Sequence, residues 1–328
     1  MAEQNWREQK PSFLASSLAP LGWTLLFFVV PMGIVWAYSF GHNAGLNSIE
    51  LSGTLENYKR ATEWLYLTIF LKSLAVAGLV TLICLVIGFP VAMAITFASE
   101  KWRPWLLLGI MLPFWTNLLI RTYALMMLLG SQGYANGALG TLWGGASWVK
   151  TMFGLEPLPT WEPVQLLFNN FAVVFGLVYV HLPFMVLPLY SALDRLDRSL
   201  IEASLDLGAG HFRTIMRIVV PLAMPGILAG VMITLIPALG AYLTPDLMGG
   251  TDSQMIANVI ERQFKRANDW PFGAALSFLL IYAMFVLIAL QGLRKKKVGV
   301  HCWRCSTPPR ARRSNTPAPC GWALGSGR

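Results

Sequence analysis

Residues 198–221 read Arg198-Ser-Leu-Ile-Glu202-Ala203-Ser204-Leu-Asp206-Leu-Gly208-Ala-Gly210-His-Phe-Arg213-Thr-Ile-Met-Arg217-Ile218-Val-Val220-Pro221, a polar, helix-patterned segment set between two long apolar spans. So many charges cannot rest in hydrocarbon, so the segment emerges into water between two membrane crossings. Leu196, Leu200, Ala203 and Leu207 fall at i, i+4, i+7 and i+11, one narrow helical stripe. Arg195, Arg198, Glu202 and Asp206 gather on another side, and Arg198 and Glu202 are spaced to pair. Gly208-Ala-Gly210 ends this helix, glycine being the usual residue where a chain leaves one. A second amphipathic piece starts near His211, with Phe212, Ile215, Met216 and Val219 apolar and Arg213 and Arg217 facing elsewhere. Pro221 marks entry into the next span. The pattern is helix, glycine turn, helix. Periodicity alone fits an ordinary solvated loop with interfacial helices equally well.

The rest of the chain supplies the membrane. Its 328 residues are 55% hydrophobic and only 12% charged, against about 25% charged in soluble domains. Apolar runs of about 18 or more residues read as transmembrane helices. Six occur, at roughly 18–40, 70–98, 105–129, 168–190, 222–244 and 272–293, so an all-α membrane protein of six transmembrane helices is expected. The first span follows Arg7 and Lys10 as a signal peptide would. It is long for one and five spans follow it, so it reads as a retained helix. Prolines such as Pro90, Pro183, Pro188, Pro225 and Pro237 are read as kinks, which membrane helices tolerate because neighbours re-satisfy the freed backbone groups.

With the N-terminus inside, the inner segments hold most of the 25 Lys and Arg residues, which places both termini and the 191–221 loop in the cytoplasm. The formal charge of +9 then reflects topology and tail, not a nucleic-acid surface. The expected organisation is a cytoplasmic N-terminus over 1–17, a transmembrane domain over 18–297 and a tail over 298–328. That tail is rich in Arg, Pro, Ser and Gly without apolar period, and is expected to be disordered. A frameshifted or otherwise altered C-terminus is weighed above zinc binding as an account of it, with a native tail left open, and resequencing tests this. Cys302-Trp-Arg-Cys305 near His301 is a single C-x-x-C without a second pair, which carries little weight for a metal. Cys84 lies in an apolar span and is expected to pack. Outside, 139–153 reads as either an interfacial or a short re-entrant helix, and 254–266 reads as helical.

The 198–221 segment resembles the EAA loop of permeases in binding-protein-dependent ABC importers. Glu202, Ala203, Gly208, Ile218 and Pro221 fall at that loop's spacing; Ser204 replaces its second Ala and Val220 its usual Leu. Further along, Pro113-Phe-Trp-Thr-Asn117-Leu-Leu-Ile-Arg121-Thr-Tyr, Leu182-Pro-Phe-Met-Val-Leu-Pro188-Leu-Tyr, Thr244-Pro-Asp246-Leu-Met-Gly249-Gly250 and Asp269-Trp270-Pro271-Phe272-Gly273 resemble the first permease of spermidine/putrescine importers, over roughly 15–297. The resemblance implies a MetI-like type I transmembrane domain. It implies a coupling helix docked on a cytoplasmic ATPase dimer, with Glu202, Ala203, Ser204, Gly208, Arg213, Ile218 and Pro221 as coupling residues. It also implies a second permease subunit in a heterodimer and a periplasmic substrate-binding protein. No cofactor is expected on this chain, ATP and Mg belonging to the partner. Gly240 is followed by Ala241 where related permeases often carry Glu, which argues against an acidic substrate contact there.

Charges inside a span are costly, about 2.5–3.5 kcal/mol for Arg at a helix centre, and default to functional candidates. Arg121 follows Arg103 by 18 residues, roughly 27 Å along a straight helix, which sets it near the outer boundary. There it is expected to snorkel or pair with an outer carboxylate, and it suits a gate better than contact with a polycation. Trp115, Asn117, Tyr242 and Asp246 complete the candidate pathway. Asp246, Asp252 and Glu261 lie near the outer mouth, and Trp115, Tyr123 and Tyr242 offer aromatic faces to a cation.

The chain has no G-x-x-x-x-G-K-[ST] phosphate loop, so another subunit must bind the nucleotide. A secondary transporter or channel would need coupling carboxylates or a filter inside the spans, which carry almost none. An enzyme would need clustered His, Asp or Glu at membrane depth. His42, His181, His211 and His301 are scattered, and His181 reads as a packing residue.

Overall fold

The computed structural model describes residues 10–43, 49–153, 156 and 159–299. Packing divides the chain at Tyr282 into Met1–Tyr282 and Ala283–Arg328, and the sites described below lie in the first unit. Five helices are long and apolar enough to cross a membrane: Ser17–Tyr38, Trp64–Phe97, Asn170–Leu193, His211–Leu239 and Trp270–Ala289. A sixth apolar segment is bent by 96° between Arg103–Trp115 and Leu118–Met152. The chain is a multi-pass membrane protein.

The first span is α1 (Lys10–Thr24), a π turn (Leu25–Val29) and α2 (Val30–Tyr38). Its apolar window buries nothing inside this chain. It is held at its C-terminal end, where Trp36 Nε1 donates to the Tyr282 hydroxyl at 3.0 Å and the Ser39 hydroxyl meets that of Tyr58 at 2.9 Å. A short antiparallel pair, β1 (His42–Asn43) and β2 (Ile49–Glu50), leads to α3 (Glu56–Ala61) and the long α4 (Trp64–Phe97).

The third span departs from the continuous helix expected over 105–129. It runs as α5 (Arg103–Met111), a 3₁₀ turn (Leu112–Trp115) and α6 (Leu118–Leu129), then α7 (Tyr134–Met152). Pro113 cannot donate a ladder hydrogen bond. Thr116 is extended, its hydroxyl donating to Pro113 O at 2.7 Å, and Asn117 restarts the chain as an N-cap, accepting the Leu119 N–H at 2.8 Å. The fragments around 139–153 are part of the single helix α7.

The core is α8 (Asn170–Leu193) packed between α4 and a fifth-span helix. That helix begins after α9 (Arg198–Asp206), as α10 (His211–Thr214), a π turn (Ile215–Val219) and α11 (Val220–Leu239). Ala77, Val80, Cys84, Met185, Val186, Leu189 and Ala223 are wholly enclosed there. Because lipid is as apolar as the helices, small residues that allow close approach, more than hydrophobic burial, hold such a bundle. A Cβ on Gly226 would lie 2.3 Å from Ala192 Cβ, and one on Gly230 would lie 2.8 Å from Met185 Sδ. His181 is buried with Nδ1 2.8 Å from Leu177 O, the packing role expected of it.

The fifth span does not begin afresh at Pro221. The helix is continuous from His211 to Leu239. Proline clashes with the carbonyl four residues earlier, here that of Arg217, and the π turn over Ile215–Val219 widens the helix at that carbonyl. The π turn over Leu25–Val29 holds Phe27, four before Pro31, in the same way.

After α11 come α12 (Leu243–Met248), a 3₁₀ turn (Thr251–Ser253), α13 (Ile256–Lys265) and α14 (Trp270–Gly299). The helix expected over 254–266 is α13. Met248 of α12 packs with Leu125 and Leu129 of α6 and Ala172 of α8. At the two ends, α1 begins inside the segment read as a cytoplasmic N-terminus, and α14 runs to Gly299, past the expected end at 297. The disorder, cysteines and His301 expected of the tail lie outside the described residues from 300 on.

Candidate functional site

Asp194 caps the end of α8, and three residues later Asp197 caps α9, its Oδ1 accepting the Ser199 N–H at 3.0 Å. That backbone hydrogen bond holds the Asp197 carboxyl below the ordinary carboxylate range. At the other end, Ala209 N–H bonds Ser204 O at 3.1 Å and Gly208 N–H bonds Leu205 O at 2.9 Å, the paired bonds of a Schellman stop. Gly208 supplies the left-handed φ of +79° that this stop requires. The chain then turns through an extended Gly210 into α10.

The two halves are joined by a buried hydroxyl pair, Ser204 Oγ to Thr214 Oγ1 at 3.0 Å. Ser204 therefore faces inward. Glu202, Ala203, Gly208 and Arg213 are exposed around the turn, whereas Ile218 is half-buried in the π turn and Pro221 sits in the first turn of α11. The stripe read from periodicity is not buried against the bundle: Leu200 is half exposed and Leu207 is 89% exposed. Phe212, on the other side of the glycine turn, is 73% exposed. Two large apolar side chains thus stand exposed on either side of the glycine turn. Phe212 and Leu207 were visible in sequence as apolar; only their outward direction was not.

Arg198 does not pair with Glu202. Its Nη2 donates to Thr96 O at 3.1 Å, at the end of α4, and its guanidinium lies 5.8 Å from the Phe97 ring centre. Arg103 Nη2 donates to the same carbonyl at 3.0 Å, while its Nη1 pairs with Asp194 at 2.9 Å. Thr96, Arg103 and Asp194 escaped the sequence reading. The Lys/Arg count marked Arg103 as cytoplasmic, but no local signal ties it to residues about 90 positions away.

At the broken third span, Arg121 is 7% exposed and makes no ion pair among the described residues. Its Nη2 donates to Pro113 O and to Thr116 O (3.0 Å), and its Nε to Thr116 Oγ1 (3.4 Å). The straight-helix estimate and the outer carboxylate partner are both corrected. The bend folds Arg121 back over the broken turn, where it satisfies Thr116 O, which the ladder of α6 does not reach, and adds a donor to Pro113 O. Trp115 is 76% exposed on that turn, and Asn117 serves as the N-cap of α6.

Tyr242 and Asp246 open α12, and no hydrogen bond or ion pair among the described residues joins them to Arg121. Asp246 lies 3.9 Å from Arg262, and Glu261 lies 3.1 Å from Lys265. The Asp252 carbonyl accepts from Lys72 Nζ. The Asp246 and Glu261 carboxylates therefore meet cations of the chain itself, whereas Asp252 offers Lys72 only its main-chain oxygen. Glu261 raises the Lys265 pKa, and the Lys265 ammonium sits 5.8 Å from the centre of the Tyr242 ring. Among the described residues no group of His, Cys, Asp and Glu is arranged to hold a metal ion.

A bundle of membrane-spanning helices with a short, glycine-stopped helix between two of its spans is the architecture of a polytopic membrane protein. Residues 30–299 match the family described as binding-protein-dependent transport system inner membrane component, and the chain belongs to that family. It is 42% identical over 270 residues to the spermidine/putrescine transport system permease protein PotB of Salmonella typhimurium, covering 82% of this chain and 89% of that one. The PotB protein of Escherichia coli K12 is 41% identical over 268 residues, covering 82% and 92%. Among solved structures, a bacterial ABC transporter that imports the acidic polysaccharide alginate superposes with a TM-score of 0.62 at 16% identity, over 90% of this chain and 100% of that one. The MetNI methionine ABC transporter gives 0.51 at 18% identity, over 72% and 96%. At these identities the structures share the fold, which is the expected MetI-like permease domain. The chain is a permease subunit, not an enzyme.

Proposed function

We propose that this chain is one of two permease subunits of an ATP-driven importer of polyamines such as spermidine and putrescine, set in the bacterial inner membrane with both termini cytoplasmic. The 42% identity to a permease named for those substrates, spread over 82% of the chain, carries the substrate assignment. An aromatic contact for a polycation is supported by Tyr242, whose ring already faces one alkylammonium, that of Lys265, at 5.8 Å.

In this reading α9 docks in a groove of a cytoplasmic ATPase that binds ATP and Mg. Glu202 meets a basic group there, Ala203 allows close approach, and Leu207 and Phe212 enter apolar pockets. ATP closure of the ATPase pair carries the coupling helices with it and opens the permease pair outward. A periplasmic binding protein then releases substrate into the pathway, and hydrolysis resets the pair. A related importer, that for alginate, has been solved with a periplasmic protein bound. Trp115, Asn117, Tyr242 and Asp246 line the outer pathway, and Arg121 holds the broken third span that narrows it.

The test is uptake of labelled spermidine by cells lacking this chain. Loss of uptake, restored by the gene in trans, supports the assignment. Undiminished uptake removes the polyamine and leaves the permease.

A further inference from the structure

Two arginines from different elements meet on one carbonyl. Thr96 O, in the last turn of the 34-residue helix α4, accepts Arg103 Nη2 at 3.0 Å and Arg198 Nη2 at 3.1 Å. Arg103 opens α5 and also pairs with Asp194, the residue that closes α8. Arg198 is the first residue of α9. The ends of α4, α5, α8 and α9 are thus tied at one point. The geometry suits it: a helix C-terminus presents unpaired carbonyls and a partial negative charge, and guanidinium offers donors in a fixed fork. Beneath it, Phe97, Leu193, Ile201 and Val219 line a cavity of only about 20 Å³, so little free space separates the parts. The Arg103 Nε is itself buried without a hydrogen-bond partner. A joint kept for stability alone has little reason to bury an unpaired donor.

We propose that Arg103 and Arg198 are positioning residues for transport: with Thr96 O and Asp194 they form a rigid joint that passes displacement of α9 into α4 and α8. This rests on α9 being the ATPase-docking helix. A rigid joint moves as one piece. Its loss leaves ATP turnover intact and wastes it, because α9 then shifts without the core helices.

The test uses the full complex, with its ATPase, second permease and binding protein, in proteoliposomes, reading labelled spermidine taken up per ATP hydrolysed. Arg198→Met and Arg103→Met each lower that ratio about tenfold at near-parental ATPase rate, a size within reach of mutations along a coupling route. The double variant falls no further than the worse single one, because both act through one acceptor. Arg198→Lys, which keeps a donor at the end of a long stem, recovers much of the ratio. A parental ratio in both Met variants overturns the joint, as does a parallel fall of ATPase and uptake in assembled complexes.

If the Met variants do not assemble, Phe97→Cys with Ile201→Cys, bridged by a short thiol cross-linker, decides the matter. A rigid joint transports while bridged. Loss of uptake that reductive release of the bridge restores overturns it. Failure of the docking assumption reads differently: a cysteine at Leu207 then captures no ATPase in the parental complex, whatever the ratio.

Discussion

Ser204 Oγ lies 3.0 Å from Thr214 Oγ1, and both residues are buried, so the two arms of the loop over 198–221 are held by a pair of hydroxyls. Thr214 Oγ1 also reaches Gly210 O at 3.3 Å. Ser204→Ala therefore leaves Thr214 with a partner and costs about 0.5–1.5 kcal/mol, the net worth of one hydrogen bond. Ser204→Asp buries an unpaired charge and costs more, about 3 kcal/mol or above. Thermal unfolding of the purified complex measures both; equal melting temperatures for the two variants would contradict the pair.

Gly208 holds φ at +79°, a conformation other L residues reach only with strain. Gly208→Asn is expected to be tolerated best, and Gly208→Val to cost about 1–3 kcal/mol at the loop. Gly208→Asp and Glu202→Lys are expected to insert normally yet uncouple transport, the first by disturbing the turn and the second by reversing the charge offered to the ATPase. Uptake and ATPase association, compared at equal membrane abundance, distinguish them. Normal uptake by a stable Gly208→Asp protein counts against docking through this turn.

Asp197 has its folded pKa depressed by the Ser199 N–H. A depressed carboxyl contributes its stability above its unfolded pKa and loses it as pH falls through the folded one. The α9 cap is thus complete at neutral pH and fades only below the ordinary carboxylate value of about 4. Amide exchange at Ser199 and Leu200, corrected for its intrinsic pH dependence, should rise in the parent on acidification. Asp197→Asn should show a flatter profile, and identical profiles would remove the cap from the account.

Arg121 satisfies the carbonyls of Pro113 and Thr116 in the broken third span. Arg121→Met leaves the Thr116 carbonyl unpartnered at an expected cost of about 1–3 kcal/mol, while Pro113 O keeps the Thr116 donors, and Arg121→Lys recovers only part of that because it lacks the fork. The melting temperature of the complex should fall in the order Arg, Lys, Met. A parental melting temperature with altered uptake kinetics would instead make Arg121 a gate.

The helix, glycine turn and second helix over 198–221 were legible because each rests on short-range rules: a 3.6-residue period, a cap and a left-handed stop. The break in the third span also had local signs, Pro113 and the N-capping Asn117. They were outweighed by the apolar run around them, since hydropathy measures the depth of a segment and not its continuity. Pro221 misled in the opposite sense. A proline can be absorbed by a π turn, and whether it breaks or merely widens a helix depends on the neighbours that hold both flanks.

The sequence by itself determined the class of molecule: its apolar spans, its water-facing loop and the glycine stop that shapes it, all set by solvent and by local backbone preference. Tertiary structure alone decided the partners of the charges. Arg198 is four residues from Glu202 yet bonds Thr96, 102 positions away, and Arg121 bonds the turn before it in place of an outer carboxylate. A long cation at the membrane boundary goes to whichever acceptor is held still and left unpaired. Chain termini of helices provide such acceptors, and only packing of the bundle brings them within reach.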